Sequence, residues 1–256
     1  MCAYLRFAAV VAVLLVLLVL LAAALLAARA RPAPTLGGDA PRRFPKKVRA
    51  QARAHPEWGA LDYDLFEAAP GKLSWYSSLM PGHVPDVDRA LRAEFAGGPP
   101  QTITDATAHI GADSANLLKV FPGATLTAVE IDPAIGAILR RNAARVTDAL
   151  GLPAGRFRVV VADGRDHLRN ARPPDELVYF DPPWQTGREV LRLGHKLSTV
   201  VADVLRRGAR VALVKLPRES DLDAFDRAVG LVATRYPVSN AATGKLSYHL
   251  LAYRAA

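Results

Sequence analysis

From Thr102 to Tyr253 the chain alternates short β-prone runs with segments of helical pattern, and this alternation constrains its fold more than any other feature. The runs are Thr102-Ile103-Thr104, Thr125 to Ile131, Phe157 to Ala162, Leu177 to Phe180 and Arg210 to Val214, then two late ones near Leu231 to Tyr236 and Leu246 to Tyr253. Pro133 to Leu150 reads as a helix capped by Asp132, with proline at its first position. Gly187 to Arg207 reads as a second helix, and Ser220-x-x-Asp223 opens a third that runs through Val229. Strands alternating with helices pair in parallel and carry helices on both faces, the α/β class. Ligands of such sheets bind beyond the carboxyl ends of the strands. The residues that follow each strand are therefore the candidates for function.

Those residues are acidic. The first strand leads into Asp105-Ala106-Thr107-Ala108-His109-Ile110-Gly111-Ala112-Asp113, the second carries Glu130-Ile131-Asp132, the third ends in Asp163-Gly164 and the fourth in Asp181-Pro182-Pro183-Trp184. Acids at four successive strand ends suit a cationic or hydroxyl-rich ligand and oppose a pyrophosphate. The G-x-G-x-x-G fingerprint of dinucleotide sites is absent. Glu130 is placed to accept hydrogen bonds from ribose hydroxyls, and Gly111 lets backbone come close to a ligand. S-adenosylmethionine (SAM) combines ribose, adenine and a positive sulfonium. No Cys/His group has zinc-site spacing, and Cys2 is the one cysteine, so no internal disulfide forms.

The first thirty residues are of another kind. Phe7 to Ala28 is an uninterrupted apolar run. At 1.5 Å per residue it spans about 33 Å, enough to cross a hydrocarbon core. A cleavable signal peptide is the rival reading, opposed by the length of the run and by Arg31-Pro32 just after the cut. One Arg precedes the run and many Lys and Arg follow it, which places the globular part in the cytosol. The net charge of +9 gathers here: Arg42, Arg43, Lys46, Lys47, Arg49 and Arg53 lie in an acid-free stretch, whereas from Glu57 onward 24 Lys and Arg face 23 Asp and Glu. Residues 1–30 are thus expected to be a membrane anchor, 31–56 a basic, flexible tether that meets anionic headgroups, and 57–256 the globular domain. RNA attraction is the second reading of the basic stretch.

The strand-end motifs, in their order and spacing, resemble the class I SAM-dependent methyltransferases across roughly Thr102 to Tyr253. The resemblance implies a Rossmann-like sheet, SAM as cofactor, a first motif that cradles its methionine end with Asp105 and Thr107, ribose contact by Glu130, and Asp163 facing adenine. More narrowly, DATAHIGADSANLLKVFP, LTAVEIDP and YFDPPW are similar to the RNA cap guanine-N2 methyltransferases, the trimethylguanosine synthase family. Asp62 to Phe66, Trp75 to Pro81 and the segments Lys196 to Ser198 and Val214 to Asp221 extend the similarity. That family usually has Ser-Pro-Pro-Trp followed by glycines. Here Asp181 replaces the Ser and Gln185-Thr186-Gly187 follows, a pattern equally at home in enzymes that methylate adenine N6.

An exocyclic amine on a base is a poor nucleophile, because its lone pair is delocalised into the ring. Acceptors around its N–H groups turn it toward a methyl donor. Asp181 and the carbonyl of Pro182 are the expected acceptors, the prolines hold the corner rigid, and Trp184 offers a stacking face worth about 1–3 kcal/mol. Trp75 and Ser77 are candidates for the far wall of a base pocket. Lys215 and Arg218 read either as phosphate contacts or as a solvated pair, and His109 as a loop or core residue. A catalytically silent, membrane-tethered binding module is the non-enzymatic alternative.

Overall fold

The computed structural model describes residues 42–68, 79–171, 175–182 and 196–255. The apolar run Phe7–Ala28 lies outside them, as do Trp75, Ser77, Pro183 and Trp184. Among the described residues no helix is long and apolar enough to cross a membrane.

An N-terminal layer comes first: β1 (Arg42–Arg43), α1 (Lys46–Ala54) and β2 (Glu67–Ala68), with β1 antiparallel to β2. The composition of this stretch predicts a tether as far as residue 56. Instead Val48 and Ala52, four apart on one face of α1, are buried together with Phe44 just before it against Tyr63, Phe66, Ile110, Ile138 and Val146. Six bases hid an amphipathic helix. Arg141 and Arg145 reach across from a later helix to Glu67 of this layer.

The main sheet contains β3 (Thr102–Asp105), β4 (Thr125–Glu130), β5 (Phe157–Val161), β6 (Leu177–Phe180), β7 (Val211–Pro217), β8 (Thr234–Ser239) and β9 (Leu246–Arg254). Their spatial order is β5-β4-β3-β6-β7-β9-β8. The five strands from β5 to β7 run parallel, as the alternation predicts. The last strand, β9, inserts antiparallel between β7 and β8, which no local pattern announced. The strand expected near Leu231 forms at Thr234 instead, because Gly230, with φ 82, ends the preceding helix in a left-handed cap.

Helices cover both faces. On one face lie α2 (Val84–Glu94), α3 (Ala112–Val120) and α4 (Pro133–Ala149), packed on Ile103, Leu126, Tyr179, Leu213 and Leu250. On the other lie α5 (Gly164–Asn170), α6 (Leu197–Arg206) and α7 (Leu222–Val229), packed on Val178, Phe180, Ala212, Val214 and Leu251. Successive residues of β6 and β7 fall on opposite faces, the two-residue period of a strand buried on both sides. Asp132 caps α4 as expected, accepting from Ala134 N at 2.7 Å. For α7 the cap is Asp221, accepting from Ala224 N at 2.9 Å, and not Ser220.

Candidate active site

The order β4-β3-β6 fixes where the site lies. The chain passes from β3 to β4 on one side and β6 lies on the other, which makes the carboxyl rim between β3 and β6 the topological switch point, where ligands of such sheets bind. Asp105 and Asp181, each at such a strand end, stand at this switch point.

The loop after β3 is ordered by Asp105. Its carboxylate is fully buried and accepts from Ser114 Oγ at 2.6 Å and Thr107 N at 3.2 Å. Burial pushes its pKa up to about 7; the Ser114 hydrogen bond opposes this and the nearby Asp113 adds to it. Thr107, expected at the cofactor, uses its hydroxyl to accept the backbone N–H of Asp181 at 2.7 Å, which ties the two rim loops together. Gly111 has φ 89, and a Cβ there would come within 2.6 Å of Leu139. Its permissiveness serves a tight packing turn into α3.

His109 shares that loop with a left-handed φ of 49, uncommon for any residue but glycine. Its amide contributes, with those of Asp132 and Ile131, to holding the Glu130 carboxylate, against the upward push of burial on Glu130. The Asp132 N–H lies 2.8 Å from Glu130 Oε1. The His109 ring Nδ1 is buried without a hydrogen-bond partner among the described residues. Asp163 caps α5, accepting from Arg165 N at 2.8 Å.

Asp181 differs most from expectation. The sequence makes it an acceptor for the target amine and gives no sign of an ionic partner. The side chain is instead 8 % exposed, and Lys215 Nζ donates to its Oδ2 at 2.6 Å. Phe180 is paired with Val214, so Asp181 and Lys215 occupy the next rung, and both turn toward the Tyr179 face. Lys215, read from sequence as a phosphate contact or a solvated residue, is 3 % exposed. It also lies 3.9 Å from Asp113 Oδ1 and 4.6 Å from the Tyr248 ring centroid. Asp113 in turn accepts from Tyr179 OH at 2.8 Å and from Leu79 N at 3.2 Å. Tyr63 donates to the carbonyl of Leu79. One buried cation thus sits between two carboxylates that come from α3 and the end of β6.

Burial pushes the Lys215 ammonium toward neutrality, but Asp113 and Asp181 more than offset that and hold it above the usual lysine range. Burial raises the Asp181 carboxyl to about 7, with Lys215 pulling it back. His83, edge-on to Tyr248 at 5.2 Å, is pushed down to about 4 by burial and by Lys215. Arg218 is exposed and pairs with Glu219. The sequence carried a signal for the buried lysine: VALVKLP is an apolar strand with a single charge in it, the pattern of a paired interior cation. Asp113 had no such signal, because it lies among small polar residues that read as loop. Among the described residues no His, Cys, Asp or Glu cluster is arranged to hold a metal ion.

No family model matches the chain, and no curated protein does. Among solved structures the chain is similar to a SAM-dependent methyltransferase from Neisseria gonorrhoeae, with 23% identity over 66% of this chain and 70% of that one and a TM-score of 0.45. It is similar to precorrin-6y C5,15-methyltransferase from Geobacter metallireducens, with 15% identity over 66% and 88% and a TM-score of 0.47. It is also similar to TrmN from Thermus thermophilus, with 18% identity over 69% of this chain and 49% of that one and a TM-score of 0.45. All three fall below a TM-score of 0.5, so the functional reading stands on the residues of the site.

Proposed function

We propose that this protein is a SAM-dependent methyltransferase that methylates an exocyclic amine of a nucleobase, guanine N2 of an RNA cap. The observation that carries the reading is the meeting of the Asp105–Thr107 loop and the Asp181 corner at the switch point between β3 and β6, with Glu130 on the neighbouring strand. The rim fits the cofactor in charge. Asp105 and Asp181 stand at the switch point and Glu130 and Asp163 at the next strand ends, and the cation buried between Asp113 and Asp181, Lys215, is already paired. Such a rim favours a positive ligand and rejects a pyrophosphate. When bound, SAM supplies an electrophilic methyl group on a cationic sulfur.

The protein's part is placement. Glu130, at the end of β4, accepts from the ribose. Asp163 lies at the next strand end, toward the adenine. Asp105 works through the loop: it fixes the turn that the methionine end faces. Across the switch point, Asp181 accepts an N–H of the target amine, draws its lone pair out of the ring and takes the proton that the methylated nitrogen releases. Fixing two reactants in such a geometry supplies roughly 7–11 kcal/mol in the best intramolecular cases. On this reading Pro182 and Pro183 stiffen the corner, Trp184 stacks on the base, and Trp75 and Ser77 close the pocket. An N7-methylated guanine is cationic and gains further from indole. The near-neutral charge from Glu57 onward favours a small cap over long nucleic acid, whose backbone needs several Lys or Arg contacts. Phe7 to Ala28 would hold the domain at a membrane with its active site in the cytosol.

Asp181 in place of serine favours adenine N6 as the second reading. Radiolabelled methyl transfer to an N7-methylguanosine cap analogue and to adenine-containing oligonucleotides separates the two. Label in the cap analogue is expected, and label only in adenine would remove the cap target. Calorimetry that shows no heat with SAM or its demethylated product would leave a silent binding module.

A further inference from the structure

Two of the three members of the Asp113–Lys215–Asp181 cluster, Asp113 and Lys215, have no chemical part in the reading above. Three elements converge on the cluster. Lys215 comes from β7, Asp181 from the corner after β6, and Asp113 from the first turn of α3. The ammonium is buried at 3 % exposure and donates to Asp181 Oδ2 at 2.6 Å, while Asp113 stands off at 3.9 Å. A structural ion pair needs one carboxylate. Here a second one is held close by Tyr179 OH and by the backbone of Leu79. The arrangement grades the field of one cation over two acids.

We infer that Lys215 is a positioning residue for methyl transfer: by engaging Oδ2 it fixes the Asp181 carboxylate so that Oδ1 meets the target amine, and Asp113 tempers how strongly that carboxylate is held. This inference rests on the methyltransferase reading. Among the described residues, the groups that face the cluster include Tyr179 from β6, Asp105 at the end of β3, His109 from the loop after it, Tyr248 from β9, His83 from the turn before α2, Asp86 within α2 and Tyr63 from the N-terminal layer. Lys215 favours the ionised form of Asp181, and Asp113 opposes it. The two neighbours therefore push the ionisation of Asp181 in opposite directions, which a purely structural pair has no reason to report in turnover.

The test follows methyl transfer to the N7-methylguanosine cap analogue against pH, with SAM affinity from calorimetry. In Lys215→Met, kcat at neutral pH is expected to fall at least 100-fold. The acid limb of the profile moves up by a pH unit or more, and SAM affinity stays within about twofold. Lys215→Arg, which keeps a cation at the position, recovers turnover to within about tenfold. Asp113→Asn moves the acid limb the other way, to lower pH, and decides the question alone if Lys215→Met does not fold. Active wild type with both variants' limbs unmoved overturns the role of Lys215. Wild type that binds SAM yet labels neither the cap analogue nor an adenine oligonucleotide overturns the parent reading, and this inference with it.

Discussion

Asp105 shows how one buried acid makes the domain sensitive to pH. An ordinary aspartate titrates near 3.9 in an unfolded chain, whereas burial raises this one to about 7 in the folded protein. The folded state therefore binds the extra proton between those values, so its stability falls as pH rises through that window. Asp105→Asn removes the titration and keeps an acceptor for Ser114. Relative to wild type, the variant should gain roughly 2–3 kcal/mol between pH 5 and pH 8, at 1.36 kcal/mol per unit. Denaturant unfolding at the two pH values measures it, and a pH-independent difference would contradict the burial of an ionisable Asp105. Asp105, Glu130, Asp163 and Asp181 could be read from sequence because each ends or follows a β-prone run. Their partners could not: Ser114 and Lys215 reach Asp105 and Asp181 across nine and thirty-four positions, and nothing local records such a pairing.

At the scale of elements, the contact between α5 and the loop after β3 holds that loop at the sheet's carboxyl rim. Gly164, the first residue of α5, abuts the carbonyl oxygen of Ala106, and a Cβ there would collide with that backbone. A backbone neighbour cannot step aside like a flexible side chain. Gly164→Ala should cost about 1–3 kcal/mol as overpacking and should weaken SAM binding, because the displaced loop carries Asp105 and Thr107. A melting curve and a calorimetric titration check this, and an unchanged pair would place the loop elsewhere. The longer elements were legible. Pro133 and Asp132 marked the start of α4, and the β-branched run of β5 was plain. By contrast, α3 is buried along nearly its whole length, so it lacks the polar stripe that betrays an amphipathic helix. With seven residues, α5 is too short to display a period.

For the molecule as a whole, the N-terminal layer decides where folding competence begins. A chain starting at Asp39 keeps β1 and α1 and should fold without membranes, whereas the full chain should sediment with them. A chain starting at Glu57 loses Phe44 and Val48 from their cluster. At about 1.5–3 kcal/mol for each buried side chain, that is roughly 3–6 kcal/mol, a large part of a typical domain's total. Denaturant midpoints of the two shortened chains measure the difference, and equal midpoints would return residues 42–54 to the role of tether. The place of β9 between β7 and β8 has a consequence for biosynthesis. As the polypeptide leaves the ribosome at roughly 5–20 residues per second, β7 emerges with a bare apolar edge and waits some seconds for its neighbour, while β8 arrives with nothing to pair to. Through that interval the nascent chain offers the kind of unsatisfied edge that invites intermolecular pairing, and a chaperone's protection would matter most there.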